Sequence, residues 1–458
     1  MMKLIHIKLI VSLALVVTGI SLGLYLTHEP PMKDNDTITI DFGDYNIVGG
    51  LADKDSNASE ALVSMCSDLG YTVEYNPDGS VKTVNGLPDV GDHRTWGLYL
   101  LVQSDTHWVW EKYNGNPDEV KISAEASVSW GLCEEGKTPT VTVDATGVSY
   151  YGLKAAQTIV CLAPSCTETV CELGYEDKII GTDRYSNYPI SIQQKRDKGI
   201  ITEVGSYTSP NFEIIVQLHP DLVIGISSQN GHIKTAEKLR AVGINVLITG
   251  DGEDLQTVYD NTYMCGVAIG DTAKAKSVTL ELKEQVETTA ATLQNVINHP
   301  SIMVALSDDK APWVAGINTY VSDIYGKAGA VNTFDKSKNP SIAETVDGWR
   351  QITSESIVQG NPQYIIVISA FGVSEDKYNT MMANLPNEWK ATDAYKNGDV
   401  YLVGDSAGDM MSRPSTRLAQ LTEFLGRMFH EDYFSEVIHV PKYVGDDYTD
   451  YITYSKEL

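Results

Sequence analysis

The stretch Glu213-Ile-Ile-Val-Gln-Leu-His-Pro-Asp-Leu-Val-Ile224 recurs 142 positions later as Glu355-Ser-Ile-Val-Gln-Gly-Asn-Pro-Gln-Tyr-Ile-Ile366. Both copies place a glutamate, an Ile-Val-Gln run and a proline at the same spacing, and a β-branched apolar run follows. A short amphipathic helix that ends near a proline and leads into a buried strand is half of a βαβ unit. The repeat therefore predicts two similar α/β lobes, a cleft between them, and a partner that recognises both glutamates.

The composition narrows the class of protein. With 458 residues the chain has room for more than one domain and for a substantial apolar core. Its formal charge of −27 and its isoelectric point near 4.6 argue against nucleic acid as a partner, because the phosphates would be repelled. Acidity of this kind most often serves solubility.

Residues 1–27 have the composition of a signal or transmembrane anchor. Lys3 and Lys8 precede an uncharged apolar run of eighteen residues, from Leu9 to Leu26. That length suffices for a transmembrane helix and is long for a signal peptide, so an uncleaved anchor is favoured over a cleaved signal. The positive flank then places the N-terminus in the cytoplasm and the rest of the chain outside. Residues 28–36 are predicted to form a short polar tether.

Residues 37–150 are predicted to form a small β-rich α+β domain. Short β-type runs alternate with Asn-Pro-Asp-Gly and Gly-Asn-Pro-Asp turns, and one helix is expected from Ser59 to Leu69. The domain resembles bacterial domains related to the C-terminal domain of transcobalamin, an animal cobalamin carrier, and is expected to be either a second ligand contact or a spacer. The residues that carry this resemblance are Gly70-Tyr-Thr-Val, Val84-Asn-Gly-Leu, Trp96-Gly-Leu-Tyr and Trp130-Gly.

The remainder of the chain alternates strand and helix patterns, which predicts an α/β fold with parallel sheets covered on both faces. We assign residues 155–270 to an N-terminal lobe and residues 300–436 to a C-terminal lobe. Between them, residues 271–299 carry apolar side chains at three- and four-residue spacings, which predicts a connecting helix of roughly 40 Å. Residues 437–458 show no pattern and are assigned to a tail.

In this order the motifs resemble the class III periplasmic binding proteins, which serve ABC importers for cobalamin, ferric siderophores and haem. The resemblance covers about residues 159–430 and implies two Rossmann-like lobes joined by one long backbone helix, with small lobe motions on ligand binding. Four blocks carry it: Ile159-Val-Cys-Leu-Ala-Pro-Ser-Cys-Thr-Glu-Thr-Val, Gly181-Thr-Asp-Arg-Tyr-Ser-Asn-Tyr-Pro, Asn211-Phe followed by the first copy of the repeat, and Lys396-Asn-Gly-Asp-Val-Tyr-Leu-Val with Ser412-Arg-Pro-Ser-Thr-Arg.

The resemblance gives the two repeated glutamates a role. In this family one acidic residue on each lobe docks onto arginines of the membrane permease, and Glu213 and Glu355 fall at those positions. Carboxylates held on a rigid frame can form charge-assisted, bidentate contacts with arginine. The competing interpretation is that both are ordinary first-turn glutamates, favoured by the helix dipole.

The fold and the resemblance place the ligand between the lobes, at loops beyond the C-terminal ends of the strands. Aromatic side chains there suit a large flat ligand such as a corrin or a porphyrin, because they offer much contact area at low entropic cost. Packing of the core or of a loop base is the alternative for each. The candidate ligand-binding residues are Tyr185, Tyr188, Ser206, Tyr207, Trp313, Tyr320, Trp349 and Phe371, with Arg184 as a partner for an anionic group.

The other polar residues carry weaker signals. Arg413 and Arg417 are expected to cap or brace the last helix. The histidines are scattered, and no loop has metal-ligand spacing, so no metal site is predicted. An even number of cysteines in an exported chain permits disulfides, with Cys66 and Cys133 as a candidate pair. The remaining cysteines, Cys161, Cys166, Cys171 and Cys265, are better explained by packing than by a metal cluster.

These observations favour a binding protein without catalytic residues or a catalytic cofactor. We expect a monomeric extracytoplasmic protein that captures a corrinoid, or else a ferric siderophore or haem, and delivers it to an ABC permease with its ATPase. The alternatives are a surface receptor without a transporter and a metal-cluster oxidoreductase on a related fold. No nucleophile elbow, P-loop or dinucleotide fingerprint is found in the sequence.

Overall fold

The computed structural model describes residues 37–53, 56–104, 107–122, 127–151 and 154–454. The predicted anchor (1–27) and tether (28–36) lie outside these residues. Within the described ranges, no helix is both long enough and apolar enough to cross a bilayer.

The N-terminal domain is a five-stranded sheet with one helix packed on it. Its elements are β1 (Thr37–Asp41), β2 (Ile47–Leu51), α1 (Ala58–Leu69), β3 (Val73–Tyr75), β4 (Val81–Val84), β5 (Thr95–Ser104), β6 (His107–Tyr113), a 3₁₀ turn (Pro117–Glu119) and β7 (Val128–Cys133). The sheet has the order β2-β1-β7-β5-β6, and β3 and β4 form a separate hairpin. Asn57 and Glu60 form a reciprocal capping box at the start of α1. The Trp130 indole on β7 donates to the Ala58 carbonyl at 3.1 Å, which holds the helix against the sheet.

The first lobe is a parallel sheet flanked by helices. Its elements are β8 (Ile159–Cys161), α2 (Pro164–Glu172), a 3₁₀ turn (Glu176–Lys178), β9 (Ile179–Thr182), α3 (Ile190–Asp197), β10 (Thr202–Glu203), β11 (Gly205–Ser206), β12 (Ser209–Pro210), α4 (Phe212–Leu218), β13 (Leu222–Ile226), α5 (Asn230–Ala241), β14 (Asn245–Thr249) and α6 (Leu255–Ile269). The sheet has the order β10-β9-β8-β13-β14, and β11 and β12 form a small hairpin. All of its pairings are parallel, as the alternating strand and helix patterns predict.

One helix, α7 (Thr272–Thr292), follows the first lobe in the chain. It packs against α6, the last helix of the first lobe, and against helices of the second lobe. The prediction of a helix over 271–299 is too long, because α7 ends at the cap residue Leu293. The chain then turns through a segment with two asparagines that leads to Pro300, and a proline disfavours helical backbone at the residue before it. The 21 residues span roughly 32 Å rather than 40 Å.

The second lobe is a seven-stranded sheet. Its elements are β15 (Ser301–Ala305), β16 (Trp313–Ala315), α8 (Tyr320–Lys327), β17 (Val331–Asn332), β18 (Trp349–Gln351), α9 (Ser354–Gly360), β19 (Tyr364–Ile368), α10 (Glu375–Asn384), α11 (Asn387–Lys390), α12 (Asp393–Asn397), β20 (Val400–Val403), α13 (Asp405–Ser412), α14 (Leu418–His430), a 3₁₀ turn (Glu431–Tyr433), β21 (Tyr443–Val444) and a final 3₁₀ turn (Asp446–Tyr451). The order is β18-β16-β15-β19-β20-β21, with β17 paired to β15. Only β16 and β18 run antiparallel to their neighbours.

The C-terminal segment belongs to the second lobe, so the prediction of a separate tail over 437–458 is wrong. Strand β21 pairs in parallel with β20, with Leu402 opposite Tyr443. Val444 and Tyr448 are buried in the large apolar cluster. The Glu423 carboxylate on α14 accepts from the backbone N–H of Thr453. A two-residue strand carries too little periodicity to be predicted from sequence.

The repeated sequence forms two equivalent helix–strand units, as predicted. Helix α4 ends at His219 with φ 48°, and α9 ends at Asn361 with φ 43°, so each stops in a left-handed residue immediately before its proline. The strands that follow, β13 and β19, are interior strands of their sheets, paired on both sides, and most of their residues are buried. The local pattern therefore fixes the same structure in both lobes.

The N-terminal domain packs directly on the first lobe. Tyr45 and Tyr151 share an apolar cluster with the buried side of α6. The Tyr45 hydroxyl donates to Asp260 Oδ1 at 2.8 Å, and the hydroxyls of Tyr151 and Tyr263 lie 2.9 Å apart. The domain is held by shared apolar packing and by polar contacts at this interface, which is not the contact pattern of a loosely attached spacer.

All six cysteines are buried and free, so the predicted Cys66–Cys133 disulfide is wrong. Cys66 lies on the buried face of α1, whereas Cys133 lies in a small separate cluster with Tyr99 and Trp110. Burial raises the pKa of the Cys66 thiol to about 11. Burial also raises the pKa of the Cys133 thiol. The packing interpretation of Cys161, Cys166, Cys171 and Cys265 agrees with their burial in one apolar cluster, where burial also raises each pKa.

Candidate functional site

The loop after β9 carries three of the predicted ligand-binding residues, and the structure separates them. The Asp183 carboxylate accepts from the Tyr185 N–H at 2.8 Å and from the Ser186 hydroxyl at 2.6 Å, which shapes the loop. Tyr185 is thereby left 54% exposed, and Arg184 forms an exposed ion pair with Glu203 at 3.3 Å. These two side chains are accessible to a ligand at the strand ends of the first lobe.

Tyr188, the third residue of that loop, is directed elsewhere. Its ring lies 4.4 Å from the guanidinium of the buried Arg417. It also lines a cavity of about 210 Å³ together with Leu282 of α7 and Gln420 of α14. Tyr188 therefore belongs to the junction of the lobes with the connecting helix rather than to the group formed by Tyr185 and Arg184.

Ser206 and Tyr207 lie on the β11–β12 hairpin, and both are half-buried. The Tyr207 ring makes an edge contact with the ring of His232, with the ring centres 5.9 Å apart. Position and partial exposure keep both residues as ligand-binding candidates on the first lobe.

The buried histidine behind Tyr207 makes the fold sensitive to acid. His232 Nδ1 accepts from the Ile226 N–H at 3.1 Å, and burial lowers the pKa of this ring from 6.5 to about 4. The unfolded chain therefore binds a proton that the native protein does not between those values, so stability is lost as the pH falls from 6.5 toward 4. We expect the protonation of His232 to lower the free energy of unfolding by about 2–3 kcal/mol between pH 6.5 and pH 4. Urea unfolding at both pH values should show a smaller loss in His232→Asn, whose amide oxygen can replace Nδ1; an equal loss would contradict the assignment.

The predicted residues of the second lobe differ widely in exposure. Trp313 is 49% exposed and Phe371 is 84% exposed, so both can contact a ligand. Trp349 is half-buried and packs against the large apolar cluster. Tyr320 is only 2% exposed and its hydroxyl donates to the Met411 carbonyl at 2.8 Å, so its prediction as a ligand-binding residue is corrected to a core residue. Thr319 caps α8, and the first turn of that helix directs Tyr320 into the core.

Phe371 borders a cavity of about 510 Å³ at the C-terminal ends of the second sheet. The cavity is formed by the residues that follow β15 and β19, with Lys377 and Asp376 of α10 at its side. This is the edge of a parallel sheet at which open α/β folds bind ligands. It provides the second lobe with a preformed depression of mixed polarity.

The two lobes are joined by a buried ionic cluster that sequence analysis missed. Glu168 on α2 is 1% exposed, and it accepts from Arg413 Nη1 at 2.9 Å, Ser415 Oγ at 2.5 Å, Arg417 Nε at 3.0 Å and Arg417 Nη2 at 2.9 Å. We call these four residues, Glu168, Arg413, Ser415 and Arg417, the lobe clasp. The sequence predicts that Arg413 and Arg417 cap or brace the last helix. In the structure both bind Glu168 of the opposite lobe instead.

The charge state of the lobe clasp follows from its contacts. Burial alone raises the pKa of Glu168, but Arg417 and Arg413 outweigh it and hold this pKa below its ordinary value of 4.5. The carboxylate is therefore ionised and paired with two guanidinium groups at neutral pH. The one sequence signal that could have found it is an acidic residue inside an otherwise apolar and hydroxyl-rich helix.

Glu213 and Glu355 occupy equivalent exposed positions in the two lobes. Each lies in the first turn of its helix, α4 or α9. Their helices are capped by different residues. In α4 the Asn211 Oδ1 accepts from the Ile214 N–H, and in α9 the Thr353 hydroxyl oxygen accepts from the Ser356 N–H. Hydrogen bonds from its own backbone N–H and from Thr353 lower the pKa of Glu355, so it is ionised at neutral pH. Both side chains are exposed and therefore accessible to a cationic partner.

Within the described ranges, no three His, Cys, Asp or Glu side chains are grouped so that they could hold a metal ion. The accessible candidates at the strand ends are Arg184, Tyr185, Ser206, Tyr207, Trp313, Trp349 and Phe371, distributed over the two lobes.

The sequence places this chain in a known family. Residues 159–407, more than half of the chain, match the profile of the periplasmic binding protein family. The chain therefore belongs to that family. The N-terminal domain lies outside the matched residues.

Individual relatives agree with this assignment. An uncharacterized ABC transporter substrate-binding lipoprotein of Bacillus subtilis, YvrC, is 28% identical over 303 residues, which cover 65% of this chain and 88% of that protein. A cobalamin-binding protein of Halobacterium salinarum is 24% identical over 296 residues, 64% of this chain and 74% of that protein.

Solved structures show the same fold. A possible iron-binding, periplasmic solute-binding protein of Staphylococcus epidermidis is 25% identical with a TM-score of 0.50, and the match covers 62% of this chain and all of that one. The apo form of the haem-binding protein RhuT of Roseiflexus sp. RS-1 has a TM-score of 0.50 at 19% identity, covering 61% of this chain and all of that one. At this identity the second likeness concerns the fold alone.

Proposed function

We propose that this protein is the extracytoplasmic substrate-binding protein of an ABC importer, and that it captures a corrinoid or an iron chelate, either a ferric siderophore or haem. The family assignment and the relatives named as ABC transporter substrate-binding and cobalamin-binding proteins support this function. The relative named as a lipoprotein supports attachment to the outer side of the membrane. The permease and its ATPase are the macromolecular partners.

The observation that carries the transport function is the equivalence of Glu213 and Glu355. Two exposed carboxylates, each in the first turn of an equivalent helix, form one contact on each lobe. The lobe clasp and α7 join the lobes into one frame, so the distance between the two carboxylates stays nearly constant. A permease with two suitably spaced arginines would bind both.

The ligand is proposed to lie between the strand ends of the two lobes. Tyr185 and Tyr207 with Ser206 and Arg184 would contact it from the first lobe, because they are accessible there. Trp313, Trp349 and Phe371 would contact it from the second lobe, where the cavity of about 510 Å³ gives it room. Stacking on exposed aromatic rings suits a flat macrocycle.

Removal of both glutamates separates transport from capture. The double variant Glu213→Ala and Glu355→Ala is expected to bind its ligand with unchanged affinity but to lose at least about 90% of uptake, since each lost charged contact costs about 1.5–3 kcal/mol of docking. Uptake of radiolabelled cobalamin by cells and ligand affinity by calorimetry measure the two steps.

The matched control changes one exposed helical glutamate in each lobe elsewhere, Glu237→Ala with Glu375→Ala. It alters the net charge equally and is expected to leave uptake unchanged. Full uptake by the Glu213 and Glu355 variant would refute the docking role. It would favour the second candidate, a surface receptor that holds its ligand without a transporter.

A further inference from the structure

A groove of about 540 Å³ lies between the N-terminal domain and the first lobe. The N-terminal domain contributes Gln103 from β5 and Trp108 from β6. The chain that leaves this domain contributes Val141 and the run Val143-Asp-Ala145. The first lobe contributes the residues that follow β13 and β14, among them Ser228 and Asp251. We call it the domain groove.

The domain groove reaches the junction of the two lobes. Its wall includes the loop Gly250–Glu253, which follows β14 at the C-terminal end of the first sheet. Gly252 in that loop accepts from the Tyr320 N–H of the second lobe at 2.9 Å. One loop thus borders the domain groove on one side and the second lobe on the other, next to the region proposed to bind the ligand.

The aromatic wall of the domain groove is held in place. A side chain on Gly147 would come within 2.5 Å of two atoms of the Trp108 ring, so the glycine, at φ +82°, allows the indole to lie against the backbone. Trp108 is half-buried and keeps part of its ring accessible. A fixed, partly exposed indole is a contact surface that loses little entropy on binding.

The polar wall is rich in acceptors and lacks cationic side chains. Its described lining contains four carboxylates, Asp144, Asp251, Glu253 and Asp260, but no Lys, Arg or His. Asp144 is engaged by Arg240 at 2.8 Å and Asp260 by the Tyr45 hydroxyl at 2.8 Å. Partial burial raises the pKa of Asp251, and the nearby Glu253 raises it further. Such a wall favours hydrogen-bond donors and repels carboxylates.

We propose that the domain groove binds the carboxamide-bearing rim of a corrinoid, so that the N-terminal domain forms part of the receptor. The inference rests on the proposed function and selects among its ligand classes. The amide groups around a corrin ring donate N–H groups that the Asp251 carboxylate and the Ser228 hydroxyl can accept. Haem carries two carboxylates and many siderophores are anionic, and a lining without a cation gives these groups no partner. A volume of about 540 Å³ suits one edge of the macrocycle, while the rest reaches the lobe junction.

The test measures the affinity of the full-length chain, purified in detergent, for cyanocobalamin, dicyanocobinamide and haemin by calorimetry. Trp108→Ala removes the aromatic wall, and Asp251→Asn removes one charge without changing the shape of the side chain. Each is expected to weaken corrinoid binding by about tenfold or more. Asp68→Asn, on the exposed face of α1 and outside the groove, is the charge-matched control and is expected to leave affinity unchanged. Because Asp251 lies in a surface loop and asparagine has the same shape, Asp251→Asn keeps the test valid even where Trp108→Ala folds poorly.

The outcomes distinguish the two proposals. Tight corrinoid binding by the wild type that neither variant weakens overturns the role of the domain groove and leaves the importer function standing. Tight binding of haemin without binding of either corrinoid also overturns the role of the domain groove and leaves the importer function standing. Failure of the wild type to bind any corrinoid, haemin or ferric siderophore overturns the proposed function itself.

Discussion

Glu168→Ala is expected to destabilise the protein by about 3–5 kcal/mol, because it leaves the buried Arg417 guanidinium without its carboxylate and removes one of the two carboxylates that pair with Arg413. The Arg417 side chain is 4% exposed and that of Arg413 is 13% exposed, so water has little access to replace the lost partner of Arg417. Ser415 would lose its acceptor as well. Urea unfolding followed by circular dichroism at neutral pH measures the change.

Two comparisons sharpen this expectation. Asp409→Ala removes the more exposed partner of Arg413, at 2.7 Å, and is expected to cost no more than about 1 kcal/mol. In the wild type, the contribution of Glu168 is complete above its ordinary pKa of 4.5 and is lost as the pH falls through its lower native pKa. Equal stability of Glu168→Ala and Asp409→Ala would show that the lobe clasp adds nothing to the fold.

Asp144→Ala is expected to destabilise the first lobe and its joint with the N-terminal domain by about 3–4 kcal/mol. The Asp144 side chain is fully buried and accepts from Arg240 Nη2 at 2.8 Å, the Tyr150 hydroxyl at 2.9 Å and the Ile248 N–H at 3.0 Å. It also orders its own turn through the N–H groups of Thr146 and Val148. Removal leaves these donors buried without an acceptor.

Hydrogen exchange is the informative readout for this variant. Amides of β14 and of residues 144–151 should lose protection, whereas those of the second lobe should not. Asp78→Ala is the matched control, since Asp78 also accepts from the N–H and hydroxyl of a turn residue, Ser80, but is fully exposed. Its effect on unfolding should be much smaller. Loss of protection spread evenly over the whole chain would show that Asp144 does not act at the joint.

The sequence predicts those parts of the fold that local patterns encode. The repeat at Glu213 and Glu355 predicts two helix–strand units because capping, proline and apolar runs act over a dozen residues. Local patterns do not predict strand β21, because it is only two residues long. They also do not predict where α7 ends, because its end depends on a turn before Pro300.

The candidate site is predictable only in its outline. That Tyr185 and Phe371 are exposed follows from their places in loops after strands. The burial of Tyr320 does not follow from the sequence in this way. Tyr320 is the first residue of α8, and at such a boundary a shift of one residue separates an exposed loop position from a core position. Glu168 is beyond reach for another reason: its partners lie 245 to 249 residues away, and no local periodicity reports such a contact.

The packing of the N-terminal domain on the first lobe has a consequence for the proposed docking to a permease. Two equivalent helices, each with one glutamate, would by themselves allow docking in two orientations related by half a turn. The contacts of Tyr45 and Tyr151 with α6 mark one lobe as different from the other. If the proposed transport function holds, a permease that accommodates the extra domain on one side would bind this protein in a single orientation.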